Sequence, residues 1–275
     1  ASFSRDDAVA FHQRFIRPDN AVIFAAGDAE FDVLMGMLEK SFGDWRAPAR
    51  PRGEKTLAPV AAQTAPRVVL VDKPGAIQSV IRVGQAAPDG LDPRNFDLDL
   101  LNGVLGGGFT ARLNMNLREQ KGWTYGANSY VSDAVGPQVF AVSTSVQTDR
   151  TAEALAEIAR ELNDISGARP TTAEELELYR RGEALTLPDR FETNNAMVGY
   201  LRYIDRFDHP YAWLTTLPDR YAAATPETVT AAAAMLAPSA MTWVVVGDLS
   251  KIEAGVRAAS LGEVEVWDAE GNRLR

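Results

Sequence analysis

Apolar residues follow two different spacings between residues 67 and 147, and each spacing predicts a different element. The segments RVVLVDK and IQSVIRVGQA are rich in β-branched residues and flank a Pro74-Gly75 turn, so they predict two strands. TYGANSYVSDA and PQVFAVSTSV predict two further strands, joined by a Gly136-Pro137 turn. In PQVFAVSTSV, bulky residues alternate with Ala or Ser, which predicts one bulky face and one small face.

Other segments carry the spacing of a helix. RNFDLDLLNGVLGG places three leucines on one side, and TARLNMNLREQK predicts a second, short helix with Thr110 as its N-cap. Amphipathic helices are predicted for 149–165 and for 171–207, the latter interrupted at Pro188. Because strands come in hairpins and helices in blocks, the order predicts an α+β fold, an antiparallel sheet backed by helices, rather than a Rossmann-like alternation.

The chain also contains an internal repeat, since 4–43 resembles 225–262. In both segments a helix with a Ser or Thr N-cap is followed by a proline, a β-branched strand that ends in Gly-Asp, and another helix. The prolines, Pro18 and Pro238, are separated by 220 residues, and so are the two Gly-Asp pairs. The alternative is two unrelated strand-helix units that share similar turns.

The repeat predicts two homologous domains, of which the first is incomplete in this chain. We expect 1–46 to be the C-terminal remnant of the first domain and 67–275 to be a complete second domain. The segment 47–66 contains four prolines and few large apolar residues, which is typical of an extended linker. The front of the first domain would then lie in a longer protein from which this chain derives.

Composition and charge exclude several classes of function. The chain has 275 residues, a formal charge of −9 and no cysteine. A net acidic chain is poorly suited to bind nucleic acid, which requires Lys and Arg to displace counterions. No run of about 18 apolar residues occurs, so no membrane span is predicted. The lack of cysteine is compatible with the cytoplasm or a bacterial periplasm, and we slightly favour the periplasm.

The sequence gives little support for a metal site or for a catalytic nucleophile. The two histidines, His12 and His209, have no carboxylate at ligand spacing, and neither HExxH nor HxxEH occurs. No Ser lies in a Gly-x-Ser-x-Gly elbow. Asp97 and Asp99 lie two apart on a predicted helix, where we interpret them as solvated surface charge. The sequence therefore predicts no metal site in this chain.

The stretch LGGGFTARLNMNLREQKGWTY, residues 105–125, joins three glycines to the short helix. A phosphate-binding loop needs a strand before its glycines and Lys-Ser or Lys-Thr after them, whereas here a helix precedes and Phe-Thr follows. We expect Gly106, Gly107 and Gly108 to form a sharp corner between two helices, because glycine permits positive φ and close backbone approach.

Arg118 and Tyr125 follow this corner. The first is predicted near the end of the short helix and the second at the start of a strand, on either side of a Gly122 turn. A guanidinium and a phenol brought together in this way form a donor pair suited to gripping carbonyl oxygens. The residues alone leave open a purely structural role for both.

The same stretch, with the strand that follows it, resembles a motif of a known family: LGGGFTARLNMNLREQKGWTYGANSYV is similar to the second-domain motif of the pitrilysin-like zinc peptidases. This inverzincin family includes insulin-degrading enzyme and the mitochondrial processing peptidases. That motif links a glycine-rich turn to an Arg and a Tyr seven residues apart, as Arg118 and Tyr125 are here. FIRPDNAVIFAAGD, ETNNAMVGYLRYID and VVVGD fit the same family in order, so the resemblance covers nearly the whole chain. It implies two similar α+β domains per half, each with an antiparallel sheet backed by helices.

The resemblance also implies a division of labour. In the family, zinc is held by HxxEH and a later Glu in one half, while the paired half lacks these ligands and supplies an Arg and a Tyr. Carried over, Arg118 and Tyr125 would donate to the scissile carbonyl of an unfolded peptide during zinc-dependent hydrolysis, and Gly106 to Gly108 would shape a corner of the peptide chamber.

No cofactor is then expected in this chain, and zinc is expected in a zinc-bearing homologous subunit or in the missing N-terminal domain. The chain is not expected to be active alone. A companion subunit of a two-chain peptidase is favoured, and a self-contained zinc subunit remains open. The alternative function is an inactive structural or peptide-binding homologue, similar to the core subunits of respiratory complexes.

Overall fold

The computed structural model describes residues 3–275. Its residues form two compact units. Unit 1 comprises Ala1–Ala58, described from residue 3 onward, and Thr186–Trp213. Unit 2 comprises Pro59–Leu185 and Leu214–Arg275 and contains the whole sheet and the main hydrophobic core. The candidate site lies entirely within unit 2.

Eleven α-helices occur between residues 3 and 275, and they are numbered here in chain order. They are α1 Arg5–Phe15, α2 Phe31–Phe42, α3 Asn95–Leu105, α4 Arg112–Asn114, α5 Thr151–Asp164, α6 Ala173–Thr186, α7 Asp189–Glu192, α8 Asn194–Arg206, α9 Trp213–Ala223, α10 Pro226–Ala232 and α11 Leu249–Ala258.

Six strands form one sheet in the order β3-β4-β2-β5-β1-β6. Their bounds are β1 Arg67–Asp72, β2 Gln78–Asp89, β3 Thr124–Val131, β4 Pro137–Gln147, β5 Thr242–Gly247 and β6 Glu263–Trp267. Strands β3, β4, β2 and β5 pair antiparallel, while β1 pairs parallel to both β5 and β6. The predicted α+β class, a mostly antiparallel sheet with helices, is confirmed.

The sheet differs from expectation in how its first two strands are joined. The sequence predicts β1 and β2 around the Pro74-Gly75 turn, but β5 lies between them and pairs with both. The turn itself forms, and Gly75 has φ +75°. A hairpin is therefore the wrong interpretation. Strand β5 comes from the far end of the chain, lies between the two strands and pairs with both.

One face of the sheet carries the core of unit 2. Phe140 and Val142 on β4 are fully buried, as the alternation in PQVFAVSTSV predicts. The three leucines of α3, which are Leu98, Leu101 and Leu105, are also fully buried, so the predicted helix face is confirmed. Burying an aliphatic or aromatic side chain of this size stabilises a fold by roughly 1.5–3 kcal/mol each. The core therefore fixes the frame on which the site is built.

The repeat is reproduced at its helices but not at its first strand. Ser4 and Thr225 both cap their helices through capping boxes, as predicted. The second strand forms as β5, whereas the stretch predicted to precede Gly27 forms no strand. Val22 and Ile23 in that stretch are exposed. A strand exists only when its backbone groups pair with a neighbour, and no residue from 3 to 275 supplies one.

The predicted division into 1–46, 47–66 and 67–275 concerns homologous domains, and it stays a prediction. Residues 1 and 2 of its first segment lie outside the described residues. Segment 47–66 contains no helix or strand. Within residues 3–275 no helix has the length and apolar character needed to cross a bilayer.

Candidate functional site

The glycine-rich turn is held against strand β3. The backbone N–H of Ser129 donates to the carbonyl oxygen of Gly106 at 2.9 Å. A Cβ on Gly106 would lie 2.5 Å from that nitrogen, whereas a Cβ on Gly108 would meet nothing within 4 Å. Gly106 has φ −163°, so the expected positive φ is wrong for this residue. Close backbone approach alone explains why glycine is required at position 106.

Two asparagine side chains fix the same turn. The Asn114 amide donates to the carbonyl oxygen of Phe109 at 2.7 Å, and its Oδ1 accepts from the N–H of Ala127 at 3.3 Å. The Ser129 hydroxyl donates to Asn102 Oδ1 at 2.7 Å. The N–H groups of Ala127 and Ser129 are thereby satisfied by the turn and Asn114. This stretch of the edge strand is therefore covered rather than free to pair.

The short helix after the turn is wider than expected. Thr110 does not cap it: the N-cap position is Ala111, which makes no side-chain cap. After α4 the chain continues as a π-helix, Met115–Gln120, in which the N–H of Lys121 reaches back to the carbonyl oxygen of Asn116 at 3.2 Å. Single π turns inside helices are often found at functional sites. Such a turn cannot be read from the apolar spacing, because Leu113 and Leu117 are buried in either geometry.

A polar cluster behind the π-helix holds it in place. The Asn116 amide donates to Glu157 and to Glu161, both at 2.8 Å. Lys121 Nζ lies 3.2 Å from Glu157, and Arg169 lies 3.1 Å from the buried Glu161. Burial acts to raise the pKa of Glu157, but hydrogen bonds from Asn116 and Lys121 outweigh it and lower this pKa. The Glu157 carboxylate therefore stays ionised, and the cluster holds the π-helix from behind.

Arg112 is a structural residue that sequence reasoning missed. Its side chain is buried and forms a bidentate ion pair with Glu175, 2.7 Å for each contact. It also donates to the carbonyl oxygens of Arg169 and Pro170. The buried guanidinium thus joins α4 to the start of α6. The signal in the sequence was its position, directly after the glycine-rich turn on the predicted helix.

Arg118 lies on the π-helix with its side chain partly exposed. Its guanidinium carbon is 4.8 Å from the centre of the Phe109 ring, a cation-π distance. Its Nε lies 3.2 Å from the Glu119 carboxylate, and both side chains are about 40% exposed. An exposed ion pair of this kind contributes little and can be exchanged for a ligand. Arg118 is therefore positioned by Phe109 and still has free donors.

Tyr125 is 89% exposed at the second position of β3. It follows the Gly122 turn, where φ is +65°, a conformation that favours glycine. A depression of about 620 Å³ lies in front of it. Its lining is polar or small apart from two aromatic rings, and consists of Gln78, Gly106, Gly107, Gly108, Phe109, Asn114, Thr124, Tyr125, Gly126, Ala127, Asn128, Ser143, Thr144 and Ser145.

The structure thus brings the predicted site residues to one region of the surface. Gly106, Gly107, Gly108 and Tyr125 line one depression, and Arg118 contacts Phe109, which lines it too. Phe109 was not singled out from the sequence, although it directly follows the glycines. Their predicted roles toward a substrate stay predictions. The lining of the depression offers the Tyr125 phenol and includes no carboxylate, while the Arg118 guanidinium beside it is paired with Glu119.

The side chains do not fit a zinc site. Between residues 3 and 275, no group of three or more His, Asp or Glu side chains is arranged to hold a metal ion. His12 is exposed on α1, and His209 stacks on Trp213 with ring centres 3.9 Å apart.

Asp99 is exposed on α3, as its interpretation as surface charge expects, but its pKa departs from that of an isolated carboxylate. It keeps contact with solvent on α3, but the protein that crowds its other sides, with the nearby charges of Asp133 and Glu183, raises its pKa to about 7. Burial likewise raises the pKa of Tyr179, whose ring packs against Gly103. Sequence spacing could not reveal this, because Asp133 and Glu183 come from distant parts of the chain.

Comparison with known proteins identifies the family of this chain. Residues 2–183 match the family described as the peptidase M16 inactive domain. An uncharacterized zinc protease of Mycobacterium tuberculosis is 26% identical over 175 residues, which are 62% of this chain and 39% of that protein. The chain thus spans about two fifths of the length of that relative.

Solved structures show the same fold. The crystal structure of a peptidase M16 inactive domain from Pseudomonas fluorescens aligns with a TM-score of 0.77 and 24% identity, over 89% of this chain and 57% of that one. A chain of complex III2 from Candida albicans aligns with a TM-score of 0.71 and 13% identity, over 94% and 62%. Because the family match covers more than half of the chain, this protein belongs to the family of M16 peptidase inactive domains.

Proposed function

We propose that the chain is the zinc-free half or companion subunit of a pitrilysin-like metallopeptidase, in which it supplies Arg118 and Tyr125 to a peptide substrate. The observation that supports this most strongly is the 89% exposure of Tyr125 at a depression whose wall, Phe109, also contacts Arg118. A tyrosine with no packing role at a site of this size is better explained by a ligand than by the fold.

The proposed role is donation to the carbonyl oxygen of the peptide bond under attack. A phenol O–H and a guanidinium N–H are both donors, and neither brings negative charge to the oxygen. Donors fixed in place before the reaction stabilise the charge that develops there, and loss of one such donor typically costs about 10²–10³ in rate. Phe109 holds the guanidinium, and Gly122 sets the backbone position of Tyr125 at the start of β3, from which its exposed phenol can reach a substrate.

The proposal assigns zinc and its ligands to a homologous partner, either a separate subunit or another part of a longer protein. It assigns no cofactor to this chain. Substrates would be unfolded peptides, because the depression is lined by small and polar groups that contact a backbone without selecting one large side chain. The chain alone is then expected to be inactive.

The test is complementation. A candidate zinc-bearing homologue from the same organism is assayed for hydrolysis of an unfolded peptide, alone and with added chain. We expect hydrolysis only when both are present, and loss of it with a zinc chelator. Arg118→Ala and Tyr125→Phe should lower kcat while leaving assembly intact, with Arg150→Gln as a matched control that removes a surface guanidinium elsewhere. Wild-type rates from both site variants would rule out the assigned roles.

A second candidate function is a structural subunit without turnover. It is favoured by the likeness of fold to a chain of the Candida albicans complex. It predicts stable assembly with other chains and no zinc-dependent hydrolysis by the assembly. The exposed Tyr125 argues against it, since a subunit with only a packing role has no use for a solvent-facing phenol beside an Arg-Phe pair. The complementation assay separates the two candidates directly.

A further inference from the structure

The second face of the sheet differs from the core face, and it carries one cation in an unusual setting. Side chains on this face alternate with the core residues along β2, β4 and β5, and apart from Ala141 they are exposed or half-buried. Across the strands, Arg82 lies beside Ser143 on one side and Val244 on the other, and Asn128 follows Ser143. Arg82 therefore occupies the middle of an open, mostly uncharged surface.

Arg82 has no hydrogen bond or ion pair to any residue in the described part of the chain. It differs in this from all other arginines of unit 2. Each of those contacts a carboxylate, or in one case the ring of Phe96: Arg67, Arg94, Arg112, Arg118, Arg150, Arg160, Arg169, Arg180, Arg181, Arg220, Arg257, Arg273 and Arg275. In a chain of net charge −9, a central cation left without a carboxylate is notable.

A second depression of about 410 Å³ surrounds Arg82. Its floor is formed by Gly84 and Ala141, and a Cβ on Gly84 would lie 2.7 Å from the carbonyl oxygen of Phe140. Small residues therefore keep the floor low. Tyr130, which is partly exposed, stands at the wall and offers a phenol O–H, while Thr242 already donates its hydroxyl to Gln63. The free donors of the depression are thus those of Arg82 and Tyr130.

We propose that Arg82, with Tyr130, forms a subsite that binds an acidic side chain of the peptide substrate. This inference rests on the proposed function, and it adds a substrate preference that the family membership does not supply. A guanidinium is the side chain best suited to a carboxylate, because its planar fork donates two parallel hydrogen bonds. The uncharged neighbours leave this cation free to pair with a ligand.

An acidic side chain fits better than a chain terminus. The open face continues past Arg82 in both directions, toward Ser143 and toward Val244, so a peptide can run through the subsite without ending there. The depression near Tyr125 is lined by Ser143, the cross-strand neighbour of Arg82. Two strand spacings of about 4.8 Å and a few residues along the strand separate the two sites. An extended peptide, with a rise of about 3.3 Å per residue, covers that distance in about four residues.

The acidic net charge of the chain does not prevent this pairing. At physiological ionic strength the Debye length is about 8 Å, so distant carboxylates act weakly on a group in contact with Arg82. Direct hydrogen bonds to the guanidinium are much less affected by salt. A hydrogen bond to a charged group typically changes affinity by about tenfold or more.

The test uses the complex of this chain with its zinc-bearing partner and a set of peptides that differ at one position. Glu, Gln or Lys is placed at each position from three to five residues on either side of the cleaved bond, with free or amidated C-termini. Values of kcat/KM are compared, and peptide binding is measured in parallel by fluorescence anisotropy. The variants are Arg82→Gln and Arg82→Glu, with Arg150→Gln as the control for removal of one exposed guanidinium.

We expect the Glu peptide to be preferred over the Gln peptide by about tenfold at one position, on one side of the cleaved bond. Arg82→Gln should abolish that ratio, Arg82→Glu should shift the preference to Lys, and Arg150→Gln should leave it unchanged. Equal Glu and Gln values for the wild type, or a preference that follows the free C-terminus, would overturn the proposal. If no peptide is hydrolysed, the proposed function fails, and the anisotropy ratios still decide whether Arg82 selects a carboxylate.

Discussion

The two faces of the sheet of unit 2 are built from the same strands and differ in almost every chemical respect. On one face, Phe140 and Val142 are fully buried in the core. On the other, Ser143 and Arg82 face an open surface, and the partly exposed Tyr130 stands beside them. Adjacent residues of β4 therefore have different tasks, since their side chains point to opposite faces.

Substitutions on the two faces are therefore expected to act on different properties of the chain. Residues of the core face are explained by burial, and a change there acts on stability. Residues of the open face, together with Tyr125 at its edge, have little packing to explain them. A change there is expected to act on ligand binding or turnover while the fold remains intact.

The largest expected effect is on the core face. Phe140→Ala removes a fully buried ring and should lower the free energy of unfolding by about 3–5 kcal/mol, because a cavity remains in the core. Tyr130→Ala removes a ring of similar size from the open face, where Tyr130 is 41% exposed, and should cost about 1 kcal/mol or less. Urea unfolding followed by circular dichroism measures both. Equal losses would contradict the difference between the faces.

An intermediate effect is expected at the junction of the core with the candidate site. Gly106→Ala places a Cβ 2.5 Å from the backbone nitrogen of Ser129 and should cost about 1–3 kcal/mol. Gly108→Ala meets nothing within 4 Å and should be close to neutral. Thermal unfolding of the two variants gives the comparison. A neutral Gly106→Ala would mean that the turn does not depend on close contact with β3.

The smallest effect concerns pH. The pKa of Asp99 is raised to about 7 in the folded state and lies near 3.8 when the chain is unfolded, so the folded state holds this proton more tightly. Stability should therefore fall as pH rises from about 4 to 7, and the loss should be complete above 7. Because Asp99 keeps contact with solvent, the change is small.

Asp99→Asn tests this titration, since the amide carries no proton that can be lost. The variant should show a flatter dependence of unfolding free energy on pH between 4 and 7 than the wild type. Asp149→Asn is the matched control, because it removes one exposed carboxylate near the start of α5. Parallel curves for wild type and Asp99→Asn would contradict the assigned pKa.

Much of this architecture could be predicted from local patterns. The alternation in β4 and the leucine spacing in α3 depend on the periods of strands and helices, which follow from nearby residues. The insertion of β5 between β1 and β2 could not be predicted, because it pairs residues that are far apart in sequence. The prediction of a strand before Gly27 was wrong for a related reason, since an apolar pattern does not supply a pairing partner.

The candidate site shows the same limit. The family resemblance singled out Arg118 and Tyr125, and their spacing placed them near the glycine-rich turn. The part of Phe109 in holding Arg118, and the π-helix that carries Arg118, depend on backbone geometry that the sequence does not display. Arg82 was missed because an isolated arginine in a strand has no distinguishing pattern until its neighbours across the sheet are known.

The central claim is that Arg118 and Tyr125 act on the same carbonyl oxygen of a bound peptide. It is tested most directly by a double-mutant cycle of kcat with Arg118→Ala, Tyr125→Phe and the double variant, in the complex with the zinc-bearing partner. We predict that each single change lowers kcat by about 10²–10³, and that the double variant loses less than the product of the two. Wild-type kcat in both single variants, or losses that multiply fully, would contradict the account.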